Sequence, residues 1–199
     1  MKRPVRLGVL FSGRGSNLEA LIRACREGCL KGVAEVVVAA TQKPGAGGLE
    51  LAKRWGVATC VVEPMKGEAR EAFDARMVAA LATRGVEWVA LAGYMRLVSP
   101  GFLAAFPNRV VNIHPADTAK HQGLHGYEWA FEQRLPETFI TVHRVDAGLD
   151  TGAVLARERV DLAGAETLDE VVKRGLAVEH RLYAETLRKT LTEESPCVE

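Results

Sequence analysis

Hydrophobic positions in the first two-thirds of the chain alternate between two periods. Val5 to Phe11 is a continuous apolar run, after which Leu18, Leu21, Ile22, Cys25 and Cys29 recur at helical spacing. Glu35 to Thr41, Val57 to Val62, Trp88 to Ala92 and Arg109 to His114 read as further strands. Between them, Leu49, Leu51, Ala52 and Trp55 mark one helix, and Phe73, Met77, Val78 and Leu81 mark another over Ala69 to Thr83. Strands that are apolar on both faces and joined by helical crossovers predict a doubly wound α/β fold with a mostly parallel sheet. The pattern changes after Pro115. Ala116 to Gly126 is loop-like, Tyr127 to Gln133 reads as a short helix, and Thr138 to Val145 and Ala153 to Asp161 read as strands. Their short connection permits antiparallel pairing, an addition to the parallel sheet in the C-terminal third. A last helix is expected from Leu168 to Leu191, opened by a capping box from Thr167 to Glu170. Residues 1–191 should therefore form a single domain, with 192–199 a flexible tail.

Composition narrows the function classes. The 199 residues are 48% hydrophobic and 26% charged, with a formal net charge of +1, which gives no electrostatic reason to expect a nucleic-acid partner. No apolar run approaches the roughly 20 residues of a membrane helix. Met1-Lys2-Arg3 begins like a signal segment, but Val5 to Phe11 leads straight into a Gly-rich turn with no suitable cleavage site, so a cytoplasmic chain is expected. Cys25, Cys29, Cys60 and Cys197 form no CxxC pair. Cys25 and Cys29, one helical turn apart on the apolar stripe, read as buried thiols, and no metal site is expected.

Three places carry candidate chemistry. Ser12-Gly13-Arg14-Gly15-Ser16-Asn17 joins the first strand to the first helix. It matches neither G-x-G-x-x-G nor a Walker loop, so it suits a single small phosphate better than a dinucleotide. Ser16 and Glu19 also have capping-box spacing, and a turn that only starts a helix well stays equally open. In the strand ending Asn112-Ile113-His114-Pro115, Asn112 and His114 share one face and converge at its carboxyl end. Asp150 follows in Gly148-Leu149-Asp150-Thr151-Gly152. The third place is Glu179, which falls in the middle of the last helix's stripe of Leu168, Val171, Val172, Leu176, Leu182 and Tyr183. A carboxylate there is either ion-paired with an Arg or Lys of the sheet or turned into a cleft.

With these residues in place, the chain resembles the phosphoribosylglycinamide formyltransferase family, folate-dependent enzymes of purine biosynthesis. The resemblance runs through Ser12 to Asn17, Arg70-Glu71-Ala72-Phe73-Asp74, Leu91 to Pro100, Asn112 to Pro115, Gly123-Leu124-His125, Val142-His143, Leu149 to Gly152 and Glu179-His180. It implies a formyltransferase-like Rossmann-type fold and formyl transfer from 10-formyltetrahydrofolate to the amine of glycinamide ribonucleotide. It also implies that Asn112, His114 and Asp150 are catalytic. Gly15, Ser16 and Asn17 would hold the substrate phosphate, and Glu179 would accept hydrogen bonds from its ribose hydroxyls. Arg70, Met95, Arg96, Leu97 and Val98, together with Asn112 and the loop before Asp150, would hold the folate.

The residues suit that chemistry. Amine attack on a formyl carbon develops an oxyanion and an ammonium. Asn112 and a protonated His114 can donate to the oxyanion, and a nearby Asp150 is expected to raise the His114 pKa. His114 or an ordered water would carry the proton from the amine to the folate nitrogen. One departure stands out. Where the family commonly has Ser-Leu-Leu-Pro after the His-Pro pair, this chain has Ala116-Asp117-Thr118-Ala119, which exchanges a rigid apolar stretch for a more polar, flexible one. The transfer-RNA relative would carry an extra C-terminal domain, not expected at this length, and the hydrolase relative an extra N-terminal domain, not expected where the first strand starts at Val5. Two alternatives stay open: a formyltransferase for an amino sugar, and a folate- or nucleotide-binding module without turnover.

Overall fold

A computed structural model describes residues 3–194. Its seven-stranded sheet has the order β3-β2-β1-β4-β5-β6-β7. The strands are β1 (Val5–Leu10), β2 (Ala34–Thr41), β3 (Thr59–Val61), β4 (Trp88–Leu91), β5 (Val110–His114), β6 (Glu137–Arg144) and β7 (Val154–Asp161). The first five are parallel, and β6 and β7 add antiparallel pairings at one edge. The helices are α1 (Ser16–Arg26), α2 (Gly48–Arg54), α3 (Arg70–Ala82), α4 (Pro100–Ala105), α5 (Gly126–Glu132) and α6 (Leu168–Glu193). This is the doubly wound architecture that the hydrophobic periods predict.

Strand alternation sorts the core into two layers. Leu7 and Val9 of β1 with Val111 and Ile113 of β5 join α1, α5 and α6 on one face. Leu10, Val89, Leu91 and Val110 join Phe73, Met77 and Leu81 of α3 and Phe102 of α4 on the other. Tyr183 of α6, fully buried, donates its hydroxyl toward the carbonyls of Leu91 and Val111 and so ties the end of β4 to β5.

Several local expectations are corrected. Ser16 does not cap α1: it is the first helical residue, the N-cap is Gly15 at φ 86°, and no side chain caps the turn. Glu19 instead reaches Trp55 Nε1 and Arg23. Helix α1 stops at Arg26, so Cys29 lies beyond it and is exposed, while Cys25 is half-buried. Gly28, a poor helix former, lies in the turn where the apolar spacing would have continued the helix. Helix α4 was not marked by periodicity because it is six residues long. Its signal was local: Ser99 accepts from Phe102 N as the N-cap, and Pro100 follows at the first helical position. Thr167 does cap α6, accepting from Glu170 N at 3.3 Å, but the Glu170 carboxylate returns to Glu166 N rather than to Thr167. Helix α6 runs two residues past Leu191 with Glu194 as its C-cap, and residues 195–199 of the expected tail, Cys197 among them, lie outside the described residues.

Candidate active site

The strand order reverses between β1 and β4, and in open α/β sheets the crevice beyond such a switch point takes the ligand. A cavity of about 780 Å³ opens there, over the carboxyl ends of β1, β4 and β5. Gly15, Ser16, Asn17, Met95, Arg96, Leu97, Val98, Asn112, His114, Asp150 and Glu179 all line it. Arg70 does not. It sits at the exposed start of α3 with its guanidinium 3.5 Å from Glu71.

At the floor, β5 projects Asn112 and His114 from the face opposite Val111 and Ile113. Asp150 meets them from the loop between β6 and β7, in a left-handed conformation (φ 52°) that Asp tolerates better than most residues. Both its oxygens are held. Oδ1 accepts from Asn112 Nδ2 at 3.2 Å and lies 3.3 Å from His143 Nε2, and Oδ2 accepts from Gly123 N at 2.8 Å and lies 3.5 Å from His114 Nδ1. The Asn112 amide nitrogen is also 3.1 Å from His143 Nε2, so it is engaged with both partners.

Burial alone would raise the Asp150 pKa, but His143, the Gly123 N–H and His114 together bring it below the ordinary carboxylate value. The expected upward pull of Asp150 on His114 is present but outweighed. Burial is the largest influence and lowers its pKa, although Asp150 and the His121 carbonyl pull the other way. Its Nε2 lies 3.0 Å from His121 O, so the ring stands between two acceptors. The resting pair is thus an ionised Asp150 beside a neutral imidazole.

The wall beside this floor is apolar. Met95, Leu97, Leu124 and Leu149, between 44% and 55% exposed, all line the cavity and account for most of the large apolar side chains open to solvent. The 93–98 segment is fixed from beneath. Met95 N donates to Ser12 Oγ at 2.8 Å, the Arg96 guanidinium stacks 4.1 Å from the centroid of Phe73, and Asp74 accepts from Ser99 N. The motif containing Phe73 and Asp74 therefore supports the wall structurally, whereas Arg70 points elsewhere.

At the other end, α1 presents its first-turn N–H groups beside Arg14 and Lys43, a cradle for an anion. Gly15 is required twice here. Besides its positive φ, a Cβ at this position would stand 2.8 Å from Gly48 Cα, so a side chain would disturb the fold as well as any bound phosphate. Next to the cradle, Glu179 is buried. It accepts from Tyr127 Oη and Asn17 Nδ2, and no Arg or Lys pairs with it among the described residues, contrary to the ion-pair reading. Burial raises its pKa, and those two donors oppose the rise. Asn17 Oδ1, also buried, has no hydrogen-bond partner.

Tyr127 depends on Gly175 of α6, where a Cβ would fall 2.1 Å from its ring. Gly175→Ala is expected to cost about 1–3 kcal/mol of stability through overpacking and to dislodge Tyr127 from Glu179. Chemical denaturation checks this, and unchanged stability would show that the ring has room to move.

His143, Tyr127 and the carbonyl of His121 carry no site assignment from sequence. His143 had a faint signal, a polar residue late in an otherwise buried strand, placed opposite Asn112 by the β5–β6 register. Tyr127 had none, because its contact with Glu179 joins residues 52 positions apart.

Comparison with known proteins agrees with this geometry. The formyl transferase family model matches residues 5–187. The trifunctional purine biosynthetic protein adenosine-3 of Drosophila melanogaster is 37% identical over 94% of this chain, which spans only 14% of that protein's length. Phosphoribosylglycinamide formyltransferase of Escherichia coli (strain K12) is 35% identical over 88% of this chain and 82% of its own. Among solved structures, glycinamide ribonucleotide transformylase 1 of Symbiobacterium toebii is 39% identical, with a TM-score of 0.91 over 97% of this chain and 90% of its own. With its His-Asp-Asn floor, its apolar wall and a family match over nearly its whole length, the chain belongs to the formyl transferase family.

Proposed function

We propose that this chain is a phosphoribosylglycinamide formyltransferase, moving a formyl group from 10-formyltetrahydrofolate to the amine of glycinamide ribonucleotide, and that it works in the cytoplasm. The observation that carries this reading is the position of Asn112, His114 and Asp150 between an anion cradle and an exposed apolar wall in one cavity. A flat heterocycle suits the wall of Met95, Leu97, Leu124 and Leu149, where Val98 and Arg96 complete the folate assignment. The folate supplies the formyl carbon and a basic nitrogen to receive the proton. Gly15, Ser16 and Asn17 offer main-chain donors to a phosphate, and Glu179 with Asn17 Oδ1 offers acceptors to hydroxyls beside it.

The floor residues divide the work. His114 is neutral at rest and can accept the proton that the attacking amine must lose. A proton arriving at Nδ1 sits 3.5 Å from the Asp150 carboxylate, which stabilises the imidazolium. The resulting cation can favour an oxyanion through its charge, or through Nε2–H if that hydrogen leaves the His121 carbonyl, and the Asn112 amide is the other candidate donor. Asn112 can serve only by loosening one of its contacts to Asp150 or His143. Arg70 is retained as a folate contact only if a bound folate reaches past the cavity rim to the start of α3.

A formyl-transfer assay with glycinamide ribonucleotide beside a water-only control tests the reading. Formylated amine should form, with negligible hydrolysis of the donor in the control. Binding of both compounds without product would reduce the chain to a binding module, and turnover of an amino sugar alone would reassign the acceptor.

A further inference from the structure

The segment 116–125 departs from the family pattern just after His114, yet the structure holds it firmly. Its anchor is a row across the sheet. In the β5–β6–β7 register His114 is opposite Thr141, and Thr141 is opposite Arg157. Directly opposed residues of antiparallel strands point to the same face, so the three side chains form a line from the floor of the cavity to the sheet edge. After Pro115 the chain doubles back over this line. Thr141 Oγ1 donates to Ala116 O at 2.7 Å, and Arg157 Nη1 pairs with Asp117 Oδ1 at 2.9 Å.

Asp117, 8% exposed, is the hinge of the segment. Its Oδ1 also accepts from Ala119 N at 3.1 Å, and its carbonyl accepts from Lys120 N at 2.8 Å and His121 N at 2.9 Å. The residue so fixed is the one whose carbonyl faces His114 Nε2. The His121 ring stacks on Trp129 at 4.7 Å and its Nε2 lies 3.0 Å from Leu124 O. Gly123 N, next along, donates to Asp150 Oδ2. Both groups of the His114–Asp150 pair therefore take a main-chain partner from this one segment.

We propose that Asp117 and Arg157 are positioning residues for the formyl-transfer site: their pair latches residues 116–125 to the sheet and so sets the His121 carbonyl against His114 and the Gly123 N–H against Asp150. The polar Ala116-Asp117-Thr118-Ala119 stretch then replaces by an ion pair and an Asx turn the stiffness that the family's apolar, proline-containing stretch provides. This proposal rests on the function given above only for its kinetic readout.

The test uses Asp117→Leu, Asp117→Asn, Arg157→Gln and Arg157→Lys in the full chain. Asp117→Leu removes the pair and the turn, Asp117→Asn keeps the turn, Arg157→Gln keeps the turn but removes the pair and the guanidinium over the Phe139 ring, and Arg157→Lys restores a cation. The groups facing His114 are Asp150, His143 and His121, and the titration of its ring is followed by NMR without substrate. Losing the His121 carbonyl should move the His114 midpoint down in Asp117→Leu and Arg157→Gln and leave it in place in Arg157→Lys. In the formyl-transfer assay, kcat should fall roughly tenfold to a hundredfold in Asp117→Leu, the scale of a misplaced reacting group, with KM for each substrate altered far less. An unmoved His114 titration in both folded Asp117→Leu and Arg157→Gln would overturn the latch, whatever the assay gives. If Asp117→Leu does not fold, Arg157→Gln alone decides the matter. A shifted titration without formyl transfer by the wild-type chain would count against the proposed function and leave the latch standing.

Discussion

His114→Ala and Asp150→Asn should each lower turnover by about two orders of magnitude or more, the scale of losing an acid–base or oxyanion-stabilising group. The two act as one unit in the structure: Asp150 is held by four groups, and its Oδ2 lies 3.5 Å from His114 Nδ1. Their combined variant should therefore fall little below the worse single one. Folding should survive both changes, because the side chains close a cavity floor and do not fill the core. Melting temperature followed against pH gives an independent check. Asp150 has a depressed folded pKa, so its contribution to stability is full above its unfolded value of about 3.9 and is lost as pH falls through the lower folded value. Asp150→Asn should lack that acid-side loss. His114 has a folded pKa below its unfolded value of about 6.5, so the unfolded chain binds more protons between the two and stability rises with pH across that window. His114→Ala should flatten this rise. Near-normal turnover in either variant would remove that residue from the mechanism.

How far the sequence carried the reading follows from the range of the forces involved. The parallel core was legible because Val5 to Phe11 or Trp88 to Ala92, buried on both faces, can be read without knowing their neighbours. Asn112 and His114 were legible because alternation alone puts them on one face. Glu179 was legible because a charge in an apolar stripe contradicts its surroundings. What failed were readings that needed a partner. Ser16 and Glu19 have capping-box spacing, but the left-handed Gly15 takes the cap position and Glu19 turns to Trp55. The His114 pKa was judged from its charged neighbour, whereas the cost of burying the ring is set by the whole packed cavity and exceeds that attraction. The polar loop after Pro115 read as flexible because its stabilising cation, Arg157, is 40 positions away and adjacent only through two strand pairings.

Glu179→Gln should raise KM for glycinamide ribonucleotide roughly tenfold to a hundredfold, the scale of losing one or two hydrogen bonds worth about 0.5–1.5 kcal/mol each, with KM for the folate unaltered. Hydrogen-bond bookkeeping explains why the substitution isolates binding. The carboxylate now accepts from Tyr127 Oη on one oxygen and from Asn17 Nδ2 on the other. A glutamine keeps one acceptor for Tyr127 and turns a donor toward Asn17. Asn17 can answer by rotating its amide, since its Oδ1 has no partner in the present arrangement. The rotation only exchanges one unpaired Asn17 atom for the other, so the number of unpaired buried groups does not rise and the melting temperature should change little. Glu179→Leu offers no such exchange. It leaves the Tyr127 hydroxyl and the Asn17 amide buried without an acceptor, at about 1–3 kcal/mol each, so it should lower stability clearly. The two variants separate the roles. If Glu179 binds ribose hydroxyls, the glutamine variant shows the affinity loss at nearly wild-type stability. If it only ties α6 to α1 and α5, the glutamine variant keeps its affinity, and the leucine variant loses stability without any change in KM beyond what partial unfolding produces.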